Sequence, residues 1–184
     1  MNQILNADVV LLVAINHGLS SGFMDLVMAF LSAKLTWAIV VLAGLLYGWY
    51  KRDRKLLRLM LVMTVAVGIS DFVAYQYMKP YFDRFRPCKA HYFVKVVFDC
   101  GGINGFPSNH ATNFAVAAIM LMAHYGRALG SIALFFCFLV GFSRVYLGVH
   151  YPTDIFAGFL LGFSWGGLCV VVTKTFVRRD VGTT

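Results

Sequence analysis

Two histidines, an aspartate and a set of cations stand at the ends of apolar stretches in this 184-residue chain, gathered in three short segments. "KPYFDRFRP" (79–87) sets Lys79 and Arg86 seven positions apart, "PSNHATN" (107–113) carries Ser108, Asn109 and His110, and "SRVYLGVHYPTD" (143–154) carries Ser143, Arg144, His150 and Asp154. A charge at the centre of a bilayer costs about 2.5–3.5 kcal/mol on insertion scales, so ionisable groups beside such stretches sit at an interface, line a hydrated cavity or pair. Lys is a compact charge and Arg a planar fork, and both suit phosphate oxygens. Ser108, after Pro107, is a good N-cap, and a loop-to-helix junction offers N–H groups and a positive helix end to an anion. The four-residue spacing of His150 and Asp154 lets the carboxylate accept one imidazole N–H and leaves the other nitrogen as a nucleophile. Each segment alone has a plainer reading: a snorkelling helix end, a satisfied cap beside an interface histidine, a helix-capping aspartate. Together those readings do not explain why two histidines and three cations flank one side of the chain.

The elements that position these groups must be helices in a bilayer. The chain is 60% hydrophobic and only 13% charged, with a mean hydropathy of +0.74, too few polar groups to cover a soluble globule. Its apolar blocks run to about twenty residues, the length that crosses roughly 30 Å of hydrocarbon. They are several, unlike one N-terminal block with a cleavage site, which argues against a removable signal peptide. The predicted fold class is all-α, a polytopic transmembrane helical bundle of about five spans at 23–50, 56–78, 108–125, 128–149 and 154–176, with a loop over 79–107. The stretch "ILNADVVLLVAINHGL", interrupted by Asp8 and His17, reads as an amphipathic interfacial helix, a sixth span being the alternative.

The net charge of +8 fits cytoplasmic loops and anionic lipid; nucleic acid is excluded as a partner because no soluble basic face exists. "KRDRK" (51–55) with Arg58, Arg127, Lys174, Arg178 and Arg179 falls on one side, taken as cytoplasmic. The other side is basic too, through Lys79, Arg84, Arg86, Lys89 and Lys95, residues assigned to function rather than topology. Arg84, one residue out of phase, is expected to meet lipid head groups or Asp83. Pro80 is expected to disfavour helix at Lys79 and to open a short helix that Pro87 closes. Cys137 and Cys169 read as packing residues; Cys88 and Cys100 flank the loop as a disulfide or as two free thiols. Neither clustered carboxylates nor a Cys/His set of metal-ligand spacing is visible.

The three segments resemble the signatures of the type 2 phosphatidic acid phosphatase (PAP2) superfamily, K-x6-R-P, P-S-G-H and S-R-x5-H-x3-D. The first and third match throughout, and the second departs once, with Asn109 where glycine is usual. The resemblance covers 79–154; the first half of the chain matches only as a generic membrane preamble. It implies a single membrane-embedded domain over 1–184, multi-pass in the inner (plasma) membrane, with the site facing the periplasm or exterior. It implies hydrolysis of a lipid phosphate or pyrophosphate without metal or cofactor. His150 would attack phosphorus, Asp154 would orient it, and His110 would protonate the leaving oxygen and then activate water. Lys79, Arg86, Ser108, Arg144 and the amides of Asn109 and His110 would cradle the phosphate. Undecaprenyl diphosphate, phosphatidylglycerol phosphate, phosphatidate and lipid A 1-phosphate all fit as substrates, and nothing indicates a protein partner. A lipid phosphotransferase, a vanadate haloperoxidase and a non-catalytic lipid-phosphate binder or transporter compete with this reading.

Overall fold

Along the computed structural model, which describes residues 2–179 and the side chains of 7–174, helix follows helix. They are α1 (Asn2–Gly18), α2 (Gly22–Ser32), α3 (Lys34–Tyr50), α4 (Arg54–Val73), α5 (Lys79–Phe82), α6 (Pro87–Ala90), α7 (Asn109–Tyr125), α8 (Arg127–Tyr146) and α9 (Pro152–Arg179). Among the described residues the only extended pairing is an isolated bridge between Phe85 and Asn104. The side chains of Arg178 and Arg179, counted above with one basic side, lie outside the described ones. Arg54–Phe82, Arg127–Tyr146 and Pro152–Lys174 are each long and apolar enough to cross a bilayer.

The helix at the centre is α7, which packs against α4, α8 and α9. Its buried residues are small or slender, with Ala111, Ala115, Val116, Ala118 and Met120 fully enclosed. From the α9 side, Gly158, Gly162 and Gly166 recur every four residues along this contact. A Cβ at Gly158 would stand 2.6 Å from the Ser108 carbonyl oxygen, so only glycine lets the two backbones close. Lipid tails supply no hydrophobic drive for helix association, and close backbone approach through small residues takes its place.

The structure departs from the sequence expectations at three places. The block at 23–50 is two helices, α2 and α3, separated at Ala33, whose backbone is extended. The carbonyls freed at the end of α2 find side chains from the next turn: Thr36 Oγ1 donates to Phe30 O at 2.8 Å and Trp37 Nε1 to Leu31 O at 2.6 Å. The second departure is at α1, where an interfacial helix would turn its polar residues to water. Instead Asp8, Leu12 and Asn16, one face at four-residue spacing, are 2%, 0% and 1% exposed, while Val10 and Leu11 face outward. The helix is inside-out. It meets α2 at a bend of 119°.

The third departure concerns the prolines. Pro80 does not break the helix, because a π-helical turn over Ala74–Met78 reseats the ladder and the Lys79 N–H donates to Ala74 O. Such a turn absorbs the contact that Pro80 cannot make. Asp83, at φ 42°, ends α5, and Pro87 opens α6 rather than closing the earlier segment.

The loop after α6 is pinned to the N-terminal helices. Cys88 and Cys100 are disulfide-bonded, with Cα atoms 6.2 Å apart. Asn16 Nδ2 donates to Lys95 O (2.9 Å) and Tyr146 O (2.7 Å) while its Oδ1 accepts from Lys95 N; Lys95 Nζ pairs with Asp25 at 2.7 Å. Gly148, at φ +72°, turns the chain out of α8 toward His150; a Cβ there would lie 2.9 Å from Lys95 O.

Candidate active site

The three segments converge at the end of the bundle that this loop covers. His150, 2% exposed, lies in the short connection between α8 and α9. Its Nδ1 faces Asp154 Oδ2 at 3.3 Å and its Nε2 lies 3.1 Å from Arg86 Nη1. A guanidinium only donates, so Nε2 must hold its lone pair there and Nδ1 must carry the proton it gives to Asp154. The ring is thus set as the tautomer a nitrogen nucleophile requires. Burial, and next the charges of Arg86, Arg144 and Lys79, hold the His150 imidazole well below its ordinary value, so it is neutral near pH 7.

Asp154 opens α9 and is fully buried. Oδ2 also accepts from Tyr151 N at 2.9 Å, and Oδ1 accepts from Arg84 Nη1 at 2.7 Å. Lys79, delivered by the π turn, is buried and donates to the carbonyls of Gly105 (3.2 Å) and Pro107 (2.9 Å). Arg86, the N-cap of α6, donates through Nη1 to Val149 O as well as to His150. Burial is also the chief cause of a lowered value at the Arg86 guanidinium. Arg144, in the last turn of α8, donates to Ser32 Oγ. The Nε atoms of Arg86 and Arg144 are buried without a hydrogen-bond partner. Buried polar groups are rarely left so, and two orphaned guanidinium donors beside one imidazole fit an oxyanion as their missing acceptor.

The second segment is arranged as its sequence suggested, with additions. Ser108 is the N-cap of α7: its side chain accepts from Ala111 N and its own N–H donates to Asp154 O at 3.1 Å. The N–H groups of Asn109 and His110 fall in the first turn, where no intrahelical carbonyl serves them. The Asn109 side chain turns away from the segment, Nδ2 donating to Asp71 Oδ1 of α4 at 2.7 Å. The residue that replaces the usual glycine therefore occupies the α4 side. His110 Nε2 lies 3.2 Å from Ser32 O and within electrostatic reach of His150 and Arg144. Among the described residues, no three His, Cys, Asp or Glu side chains gather as a metal site.

Two participants were not foreseen. Ser32, at the end of α2, meets His110 through the carbonyl that the break at Ala33 frees and accepts from Arg144 through its hydroxyl. A lone serine in an apolar run gives no signal for this. Arg84, expected at head groups or Asp83, instead bonds Asp154, Asp8 and Thr153.

Fold and site together define an integral membrane protein whose buried cations and two imidazoles meet at one end of the bundle. Residues 55–178 match the PAP2 superfamily, and the chain belongs to it. It is 34% identical over 164 residues to a lipid A 4'-phosphatase of Porphyromonas gingivalis, an alignment covering 83% of this chain but 65% of that relative, so the chain spans just under two-thirds of its length. It is 29% identical over 156 residues to the undecaprenyl-diphosphatase BcrC of Bacillus subtilis, covering 83% of this chain and 77% of the relative. The crystal structure of a transmembrane PAP2 type phosphatidylglycerolphosphate phosphatase from Bacillus subtilis superposes with a TM-score of 0.74 at 27% identity, over 97% of this chain and 88% of the other.

Proposed function

We propose that this chain is a single membrane-embedded unit that hydrolyses a phosphate or pyrophosphate group from a lipid, through a phosphohistidine at His150. The observation that carries this reading is the set of His150 contacts: Nδ1 on Asp154, Nε2 against Arg86, with two guanidinium Nε donors unpartnered nearby. In the first step Nε2 bonds to phosphorus as the bond to the lipid oxygen breaks, and protonated His110 gives that oxygen its proton. In the second, water attacks phosphorus, His110 takes the water proton, and the N–P bond breaks to release inorganic phosphate. Lys79, Arg86, Arg144 and the first-turn amides of α7 balance the charge on the equatorial oxygens, work that bound magnesium does in other phosphoryl-transfer sites.

The relatives above act, by their names, on lipid A, undecaprenyl diphosphate and phosphatidylglycerolphosphate, three lipids that share the phosphate and differ in the rest. The substrate class is therefore a membrane lipid carrying a terminal phosphate or diphosphate. The Cys88–Cys100 disulfide on the loop at this end supports an oxidising side, the periplasm or exterior, for the site. The test is phosphate release from this panel of lipids in detergent micelles by the wild type, His150→Ala and His110→Ala, with and without EDTA. Release by the wild type that resists EDTA and is lost in His150→Ala is expected. Turnover surviving in His150→Ala removes the proposed nucleophile. Transfer of the group to a second lipid in place of free phosphate makes the chain a phosphotransferase.

A further inference from the structure

We propose that Asp8 and Arg84 form a positioning pair that holds Asp154, and through it His150, in register, so that α1 is part of the catalytic apparatus. The inference rests on the reading of His150 as nucleophile. The His150–Asp154 contact is long at 3.3 Å, so it cannot by itself fix the carboxylate plane. That plane is set by the other two donors, Tyr151 N on Oδ2 and Arg84 Nη1 on Oδ1. Besides Asp154, three contacts place Arg84. Its guanidinium lies over the Tyr151 ring at 4.2 Å, Nη1 also donates to Thr153 Oγ1 at 2.7 Å, and Nη2 pairs with Asp8 Oδ2 at 2.5 Å. Asp8 in turn accepts from Thr153 N at 3.0 Å and from the Thr153 hydroxyl, and it is almost fully buried.

The charges explain why two residues are needed. Arg84 alone would draw the charge of Asp154 onto itself and weaken the acceptor that His150 faces. With Asp8 on the opposite edge of the guanidinium, Asp8, Arg84 and Asp154 together keep one net negative charge beside the imidazole. Removing Asp8 would leave a partly buried cation leaning on Asp154 alone. Neither Asp8 nor Arg84 belongs to the three signatures, and Asp8 lies outside the matched region 55–178. A buried carboxylate on an otherwise apolar helix is costly to keep, and this network gives it a use.

The experiment uses the purified full chain in detergent, with phosphatidate and undecaprenyl diphosphate as probes and inorganic phosphate as competitor. Arg84→Ala is expected to lower kcat about 10- to 100-fold, the range typical of partners that orient a reactive group. KM and inhibition by inorganic phosphate should stay within about threefold, because the groups that hold phosphate are untouched. Asp8→Asn, near-isosteric, should lower kcat on the order of 10-fold, and Asp8→Glu should recover part of that loss. In an Asp154→Asn background, Arg84→Ala should add less than about twofold, since the group it positions is already disabled. A wild-type kcat in Arg84→Ala, a loss carried by KM, or full additivity with Asp154→Asn would overturn the inference. Should Arg84→Ala fail to fold, judged by thermal melting, Asp8→Asn carries the same comparison. A wild type silent on both lipids sinks the hydrolase reading and this inference together; an active wild type beside an unaffected Arg84→Ala sinks the inference alone.

Discussion

The two ends of this bundle hold similar chemistry and use it differently. At one end His150, His110, Lys79 and Arg144 are drawn under a disulfide-closed loop. At the other, Lys55 Nζ donates to His124 O at 2.8 Å and lies over the Tyr125 ring at 4.8 Å, and His124 Nε2 sits 3.0 Å from Thr173 Oγ1. Both ends have a histidine on α7, a lysine from the α4–α5 stretch and a polar residue of α9. What separates them is enclosure. At the first end three cations crowd one imidazole and two guanidinium donors lack acceptors; at the second the imidazole and the ammonium are both bonded, and among the described residues the Tyr125 hydroxyl alone is buried there without a partner. Residue type therefore says little at a helix end, and convergence with unmet hydrogen-bonding capacity says much.

Substitution of His150 should break the contrast most completely. His150→Ala is expected to lose on the order of 10⁴-fold or more in kcat on a lipid phosphate, as removal of a nucleophile does elsewhere. His110→Ala should lose a comparable factor on the lipid, yet keep much more of its turnover on an aryl phosphate whose leaving group needs no proton. Single-turnover quench with phosphohistidine detection checks both. An equal loss on the two substrates would deny His110 its role as acid.

Next in size is Arg86. Arg86→Gln is expected to cost about 100-fold in kcat, as loss of one fixed donor does, and Arg86→Lys should not restore it because a point charge cannot reproduce the fork. It also moves the pH profile in a definite direction. The His150 imidazole is held below the ordinary 6.5 by burial and then by Arg86, Arg144 and Lys79, with a hydrogen bond to the Gly105 backbone opposing them. The neutral nucleophile is therefore the populated form down through mildly acidic pH, and the acid limb of kcat/KM should lie below 6.5. Removing the Arg86 charge lifts the imidazole toward its ordinary value, so the acid limb should shift upward in Arg86→Gln. A downward shift would contradict the electrostatic account.

Gly158→Ala tests the scaffold beneath the site. The added methyl meets the Ser108 carbonyl, which cannot yield without moving the α7 N-terminus. Destabilisation of about 1–3 kcal/mol is expected from overpacking of this kind. A loss on the order of 10-fold in kcat should accompany it, because the first-turn amides shift with Ser108. Thermal melting in detergent and turnover measured on the same sample separate the two effects.

How much of this was legible in the sequence follows from what fixes each feature. Lys79, Arg86, His110, Arg144, His150 and Asp154 stood out because their types suit phosphate and their spacings resemble the PAP2 signatures, and helical blocks of membrane length constrained where they could meet. The break at Ala33 was hidden, since no glycine or proline marks it and its carbonyls are met by Thr36 and Trp37 further along the chain. The orientation of α1 was hidden as well. Hydropathy shows that Asp8 and Asn16 share a face, but whether that face meets water or protein depends on partners more than seventy residues away, such as Arg84 and Lys95. Arg84 was misplaced for the same reason: its partners come from α1 and α9, and local phase cannot reveal them.

The smallest expected effect sharpens the comparison from the other side. His124→Ala removes an imidazole at the open end, and its consequences can be followed bond by bond. The Lys55 ammonium binds the His124 backbone carbonyl, which the substitution keeps. The Thr173 hydroxyl loses the ring but retains Cys169 O at 2.8 Å as an acceptor. No buried group is orphaned, so stability should change by no more than about 1 kcal/mol, the size of one ordinary hydrogen bond. The far end of α7 stays where α8 and α9 hold it, and kcat/KM should stay within about twofold of wild type. Turnover of one lipid phosphate by His124→Ala and His110→Ala in parallel makes the check, because the two residues lie on one helix and differ in what surrounds them. A large loss in His124→Ala would mean that the bundle transmits changes along α7 from one end to the other, and enclosure would then no longer suffice to separate the two ends.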